Sequence, residues 1–247
     1  MAYDIRPLSF TEILDRSFTV LRDRFSLLVG ISIVEWIPFG LLLAMATPKN
    51  RVLPIVALAL LLIIGPVTHA ALVIAVSRVD LSASVTVGEA YRATRHILIP
   101  IIGTYLLIYI FFIPLMLMLV LPAVYFMICW VLVAPVMIVE ETFGIRALSR
   151  SRALIRGSWW HTLGLMLVVG LITAIPAGAL QFLWAFIPVL GPVLNAFTEA
   201  IVQTYSLVAI VIYYFDRRCR TEDFDLRLLA QQIRAEGAAP MTGTSVA

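Results

Sequence analysis

The chain has 247 residues, 62% of them apolar and only 13% charged, with a mean hydropathy of +1.00. Soluble domains run about 45–50% apolar and about 25% charged, so this composition would leave a water-soluble fold covered in apolar surface. It excludes an ordinary soluble domain and points to an all-α integral membrane protein. The net charge of +3 is too small to imply nucleic acid as a partner.

In chain order, MAYDIRPLSFTEILDRSF mixes acids and bases ahead of any apolar run. That is not the layout of a cleaved signal peptide, and the first apolar run is expected to remain as a membrane helix. Within this opening, Ser9 to Glu12 has the form of a capping box. Beyond it Phe10, Ile13, Leu14, Phe18, Leu21 and Phe25 share one helical face, opposite Glu12, Asp15, Arg22 and Asp23. The segment over about 9–24 therefore reads as an amphipathic helix lying in the membrane interface.

Uncharged runs follow, long enough to cross about 30 Å of hydrocarbon as helix. The first two predict spans at 25–47 and 53–76. The third run is too long for one crossing and divides near Pro122, giving 98–119 and 122–140. The fourth divides at AFIPVLGP, giving 160–184 and 193–215. Six spans in alternating directions place sixteen lysines and arginines on one side and two, Lys49 and Arg51, on the other. By the positive-inside rule both termini are cytoplasmic.

Two more cytoplasmic segments behave like the first. Thr86 to Glu89 opens the middle one, about 86–96, with a second capping box. In the third, about 142–158, Ala147, Leu148, Leu154, Ile155 and Trp159 lie opposite Arg146, Arg150, Arg152 and Arg156, with Thr142 as candidate cap. Residues 13–25, ILDRSFTVLRDRF, align without a gap over ALSRSRALIRGSW at 147–159, so that Arg16–Ser17 matches Arg150–Ser151 and Arg22 matches Arg156. The expected architecture is three tandem units, each an interfacial helix followed by a transmembrane hairpin. The single membrane domain ends near 236, with a short tail helix over about 221–235 and a disordered end at 237–247.

Arg16, Arg22, Arg146, Arg150, Arg152 and Arg156 are expected to contact anionic lipid headgroups on the cytoplasmic side, and Trp159 and Trp160 to anchor the chain at headgroup depth. Ionisable groups inside a span are costly and mark the places to look for function. Glu35 lies near the middle of the first span; Asn195, Glu199, Gln203 and Ser206 form a polar stripe on the last. Gln203 shares Glu35's depth and is its expected partner, whereas His69 is placed too near the cytoplasmic end of its span to reach Glu35. These groups either line a cavity for a proton, an ion or a lipid headgroup, or are hydrogen-bonded internally and fix helix packing. Pro38, Pro66, Pro114, Pro135 and Pro176 are candidate kinks.

Three stretches, RPLSFTEILDRSFTVLRDRFSLLV, IVEETFGIRALSRSRALIRGSWWHTLGL and IYYFDRRCRTEDFDLRLLA, resemble the glycerophosphoryl diester phosphodiesterase membrane-domain family. The resemblance rests on Glu140, Ala147–Leu148, Arg150–Ser151, Leu154, Gly157 and Trp160, then on Tyr213–Tyr214, Asp216, Arg218, Arg220, Glu222 and Phe224–Asp225–Leu226. Phe215 departs from the family's pattern by standing between the tyrosines and Asp216. The resemblance implies a membrane module without the phosphodiesterase barrel that follows it in some members, and thus no catalytic residues.

The histidines His69, His96 and His161 have no acidic clusters at metal-ligand spacing, and no HExxH, GxSxG, P-loop, CxxC or EF-hand pattern occurs. Cys129 and Cys219 set no disulfide framework. The expectation is a multi-pass protein of a bacterial plasma membrane with no cofactor or metal. It would act as a non-catalytic scaffold or accessory subunit, touching lipids and a membrane-protein partner, or as a small transporter or lipid-handling permease built around Glu35 and Glu199.

Overall fold

The structure, a computed structural model, describes residues 8–46, 50, 52–79, 85–118, 120–188 and 190–222. These are mostly helical, and no strand occurs among them. Ten α-helices follow in order: α1 Phe10–Asp23, α2 Phe25–Ala44, α3 Val52–Val79, α4 Val87–Thr94, α5 Leu98–Met118, α6 Val120–Cys129, α7 Val133–Val139, α8 Ile145–Ile155, α9 Trp159–Trp184 and α10 Gly191–Glu222. Six helical stretches are long and apolar enough to cross a membrane, with α6 and α7 together forming the fourth. The protein is an all-α, multi-pass membrane protein.

Both expected capping boxes form. The Glu12 amide donates to Ser9 Oγ at 3.4 Å while the Ser9 amide donates to Glu12 Oε2 at 2.6 Å. Thr86 and Glu89 repeat the exchange at 3.3 and 2.9 Å. Each box satisfies two amides that a helix start leaves without intrahelical partners. The inner face of α1 is Ile13, Ser17, Val20 and Leu21; that of α8 is Ala147, Leu148, Ser151, Leu154 and Ile155.

Four details differ from expectation. The third surface helix begins at Ile145 rather than 142, because Gly144 takes a left-handed φ of 65° at the N-cap position. Thr142 does not cap it; its hydroxyl donates to the Glu140 carbonyl at 3.0 Å. The last span runs to Glu222, carrying Arg217, Arg218 and Arg220 on a helix that hydropathy alone ends near 215. The fourth span is interrupted at Trp130–Leu132, just ahead of Pro135, which has no amide to offer the Val131 carbonyl; the expected kink there is a full break. Most of the expected tail helix, and all of 237–247, lie outside the described residues.

Packing is uneven. The apolar window of α10 is 61% buried and that of the span containing α5 only 11%, so α10 is the axis and α5 stands at the margin. α2 crosses α10 closely because Gly40 has no side chain: a Cβ there would meet Ala196 Cβ at 2.6 Å. Eight residues along, about 12 Å at helical rise, Ser32 Oγ and Thr204 Oγ1 share a hydrogen bond of 2.7 Å in the same interface.

Candidate functional site

Two largely buried polar clusters stand out, one inside the spans and one beyond them, where α8 meets the C-terminal end of α10. The intramembrane cluster is centred on Gln203 of α10. Trp36 Nε1 donates to Gln203 Oε1. An indole N–H can only donate, so the carbonyl of Gln203 faces Trp36 and its amide nitrogen faces the other way. That nitrogen lies 3.1 Å from Glu35 Oε2 and 2.9 Å from His69 Nε2. It has two protons and donates one to each.

His69 Nε2 is therefore an acceptor, the imidazole carries its proton on Nδ1, and that proton is donated to Tyr105 Oη at 2.9 Å. Four spans, α2, α3, α5 and α10, meet in this one chain of hydrogen bonds. Glu35 is 3% exposed. Its carboxylate fits because residue 65 is glycine, where a Cβ would stand 2.9 Å from Glu35 Oε1.

The pairing of Glu35 with Gln203 is as expected, and His69, as expected, makes no direct bond to Glu35; the two meet through Gln203. Depth counted along each helix separates His69 from Glu35, but the Gln203 side chain bridges the gap by bonding to both. The rest of the stripe does not converge. Glu199 Oε1 accepts from Gln181 Nε2 at 3.1 Å on an exposed surface, and Asn195 Oδ1 is buried without a hydrogen-bond partner.

The second cluster joins Glu140 and α8 to the C-terminal end of α10. Glu140, just past α7, accepts two bonds from Arg150 of α8: Nε to Oε2 at 2.6 Å and Nη2 to Oε1 at 3.1 Å. Tyr214 of α10, fully buried, donates its hydroxyl to Glu140 Oε1 at 2.9 Å. One turn on, Arg218 pairs with Glu222 at 3.2 Å and lies 3.9 Å from Glu140. Arg150 also pairs with Glu222.

Two cations and two anions are thus closed into one network. The hydrogen bond to Glu140, opposed by burial and helped by the bond to Glu222, holds the Arg150 guanidinium above its ordinary value. Arg150 is therefore not one of the solvent-facing arginines that the helical face assigned to lipid; an acid ten residues upstream turns it inward.

Its neighbour Ser151 closes the break in the fourth span. The buried Ser151 hydroxyl donates to the Cys129 carbonyl at 2.8 Å and accepts from the Leu132 amide at 3.2 Å. Those backbone groups lose helical partners at the interruption and would otherwise be buried unpaired. Further down α10, Asp216 is 2% exposed, accepts from the Leu8 amide at 2.7 Å and pairs with Arg220 at 3.0 Å. The Tyr213 hydroxyl lies 2.7 Å from Thr162 Oγ1. The basic end of α10 thereby ties down the start of the described chain, α8 and the start of α9. Sequence reading treated these arginines as topology signals and used Tyr213–Tyr214, Asp216 and Arg220 only for a resemblance; the four-residue spacing of Asp216 and Arg220 is the sign of their ion pair.

Of the other expected lipid contacts, Arg22 is exposed beside Asp23 at 3.4 Å, Arg16 is half-buried, and Arg146, Arg152 and Arg156 are exposed. Trp159 stacks on Tyr125, with ring centroids 5.8 Å apart at 23°, and meets Trp160 edge-on. Trp160 is 78% exposed. Among the described residues no three His, Cys, Asp or Glu side chains are grouped to hold a metal ion.

Residues 81–236 match the family described as Domain of unknown function (DUF8558), and the chain belongs to that family. The match takes in every member of the Glu140–Arg150–Arg218–Glu222 network. No curated protein and no solved structure matches the chain.

Proposed function

We propose that this member of a family without an assigned function is a non-catalytic, lipid-contacting membrane module of a bacterial plasma membrane, a scaffold or accessory subunit with both termini cytoplasmic. The observation that carries this reading is where the polar groups go. Glu35, Glu140, Arg150, Asp216 and Glu222 are each committed to partners on other segments of the same chain or to arginines beside them. Groups so engaged hold helices together and are not free to bind solute.

The three-unit arrangement, and with it the likeness to the phosphodiesterase membrane domain, belongs to the same proposal. Laying the capping box of Thr86 on that of Ser9 brings Ala90 and Thr94 over Ile13 and Ser17, and the gap-free alignment adds Ala147 and Ser151. All six of these side chains are buried. A shared pattern of one small or apolar residue and one hydroxyl, four apart, supports three related surface helices.

A transporter is the second reading, favoured by the Glu35–Gln203–His69–Tyr105 chain across four spans. Proteoliposomes carrying an internal pH dye separate the two. The module reading predicts proton leakage equal to that of empty vesicles for both the wild type and Glu35→Gln. A flux present in the wild type and lost in the variant overturns it in favour of transport. Purification in mild detergent supplies the positive arm: a stoichiometric membrane-protein partner supports the accessory role.

A further inference from the structure

Arg217 breaks the pattern of paired charges. Its side chain is 9% exposed, yet its hydrogen bonding among the described residues is a single contact, Nε to the Leu154 carbonyl at 3.1 Å. Arg150 and Arg218 have carboxylates; Arg217 has none among the described residues. The acid next to it, Asp216, is taken by Arg220 and the Leu8 amide. A buried guanidinium without a counter-charge is costly, and the cost falls when an anion is brought to it.

Arg217 lines a pocket of about 620 Å³, together with Arg220, His161, Ser158 and Ser9, and among the described residues no acid lines it. The 26-residue helix α9 starts at this pocket, and its N-cap, Ser158, turns its hydroxyl back to the Ile155 carbonyl at 3.0 Å instead of capping the first turn. The first-turn amides of α9 add a second source of positive potential facing the same space. Trp159 and the largely exposed Trp160 form part of the wall, side chains suited to headgroup depth.

We propose that this pocket binds a phosphate group, held by Arg217 and the start of α9 beside the Arg220–Asp216 pair, and presented either by an anionic phospholipid or by free phosphate. The choice of lipid as source rests on the reading of the chain as a lipid-contacting module; the phosphate site itself does not.

The test is the melting temperature of the delipidated full chain in mild detergent. One arm compares inorganic phosphate with chloride at matched ionic strength. The other compares phosphatidylglycerol with a neutral, phosphate-free glycolipid. Binding predicts a rise of about 3 °C or more with phosphatidylglycerol or phosphate over its control, lost in Arg217→Gln. Should that variant fail to fold, Ser158→Asp carries the test. Aspartate keeps a good N-cap residue and puts a carboxylate into the pocket, so this variant should melt higher without ligand and lose the response.

A response to phosphatidylglycerol alone assigns the headgroup. A response to phosphate without one to lipid keeps the site and counts against the lipid-contacting module. No response to either, or an equal response in wild type and Ser158→Asp, overturns the site.

Discussion

The two buried clusters solve the same problem with different chemistry. Where α8 meets the end of α10, Glu140, Arg150, Arg218 and Glu222 are full charges in balance, with side chains 15–29% exposed. Inside the spans, the lone carboxylate Glu35 is met by an amide, with an indole, an imidazole and a phenol behind it. Near water a cation can be brought to an anion at modest desolvation cost, whereas in hydrocarbon each added charge costs more than a neutral donor. Both clusters tie segments far apart in sequence, Glu140 to Tyr214 in the charged one and Glu35 to Gln203 in the neutral one.

The same substitution at each carboxylate tests that contrast. Glu140→Gln removes both ion pairs and leaves Arg150 facing an amide, and should cost about 2–4 kcal/mol in detergent unfolding. Ser151→Ala comes next, at about 1–3 kcal/mol, because it strands the Leu132 amide and the Cys129 carbonyl. Its aligned counterpart Ser17 donates only to the Ile13 carbonyl of its own helix, at 2.6 Å, and Ser17→Ala should cost under about 1 kcal/mol. Equal losses would show that the break in the fourth span does not depend on Ser151.

Gly65→Ala pushes a methyl against Glu35 and should cost about 1–2 kcal/mol by overpacking. A neutral effect would mean that the carboxylate has room to move. Glu35→Gln should be the mildest, under about 1 kcal/mol, since the new amide can turn its carbonyl to Gln203 Nε2. A loss at Glu35 as large as that at Glu140 would erase the distinction between the clusters.

What was legible in the sequence followed from hydropathy, charge and capping. The six spans, the opposed faces of α1 and α8 and both capping boxes needed only local information. Three features needed long-range contact. Pro135 marks a kink at Trp130–Leu132, but the full interruption there also needs a serine some twenty residues on to satisfy its freed backbone groups. His69 joins Glu35 only because one amide reaches two helices. Arg150 sits on the polar face of α8 by angle, yet Glu140 and Glu222 draw it inward. Arg217, among five arginines near the chain's end, had nothing local to separate it from its neighbours.

The central claim is that the polar residues of the two resembling segments are committed to one another. A double-mutant cycle between Glu140→Gln and Arg150→Gln, read by unfolding in detergent, measures this directly. The account predicts a coupling of about 1.5 kcal/mol or more between the two positions. Losses that add to within about 0.5 kcal/mol would contradict it.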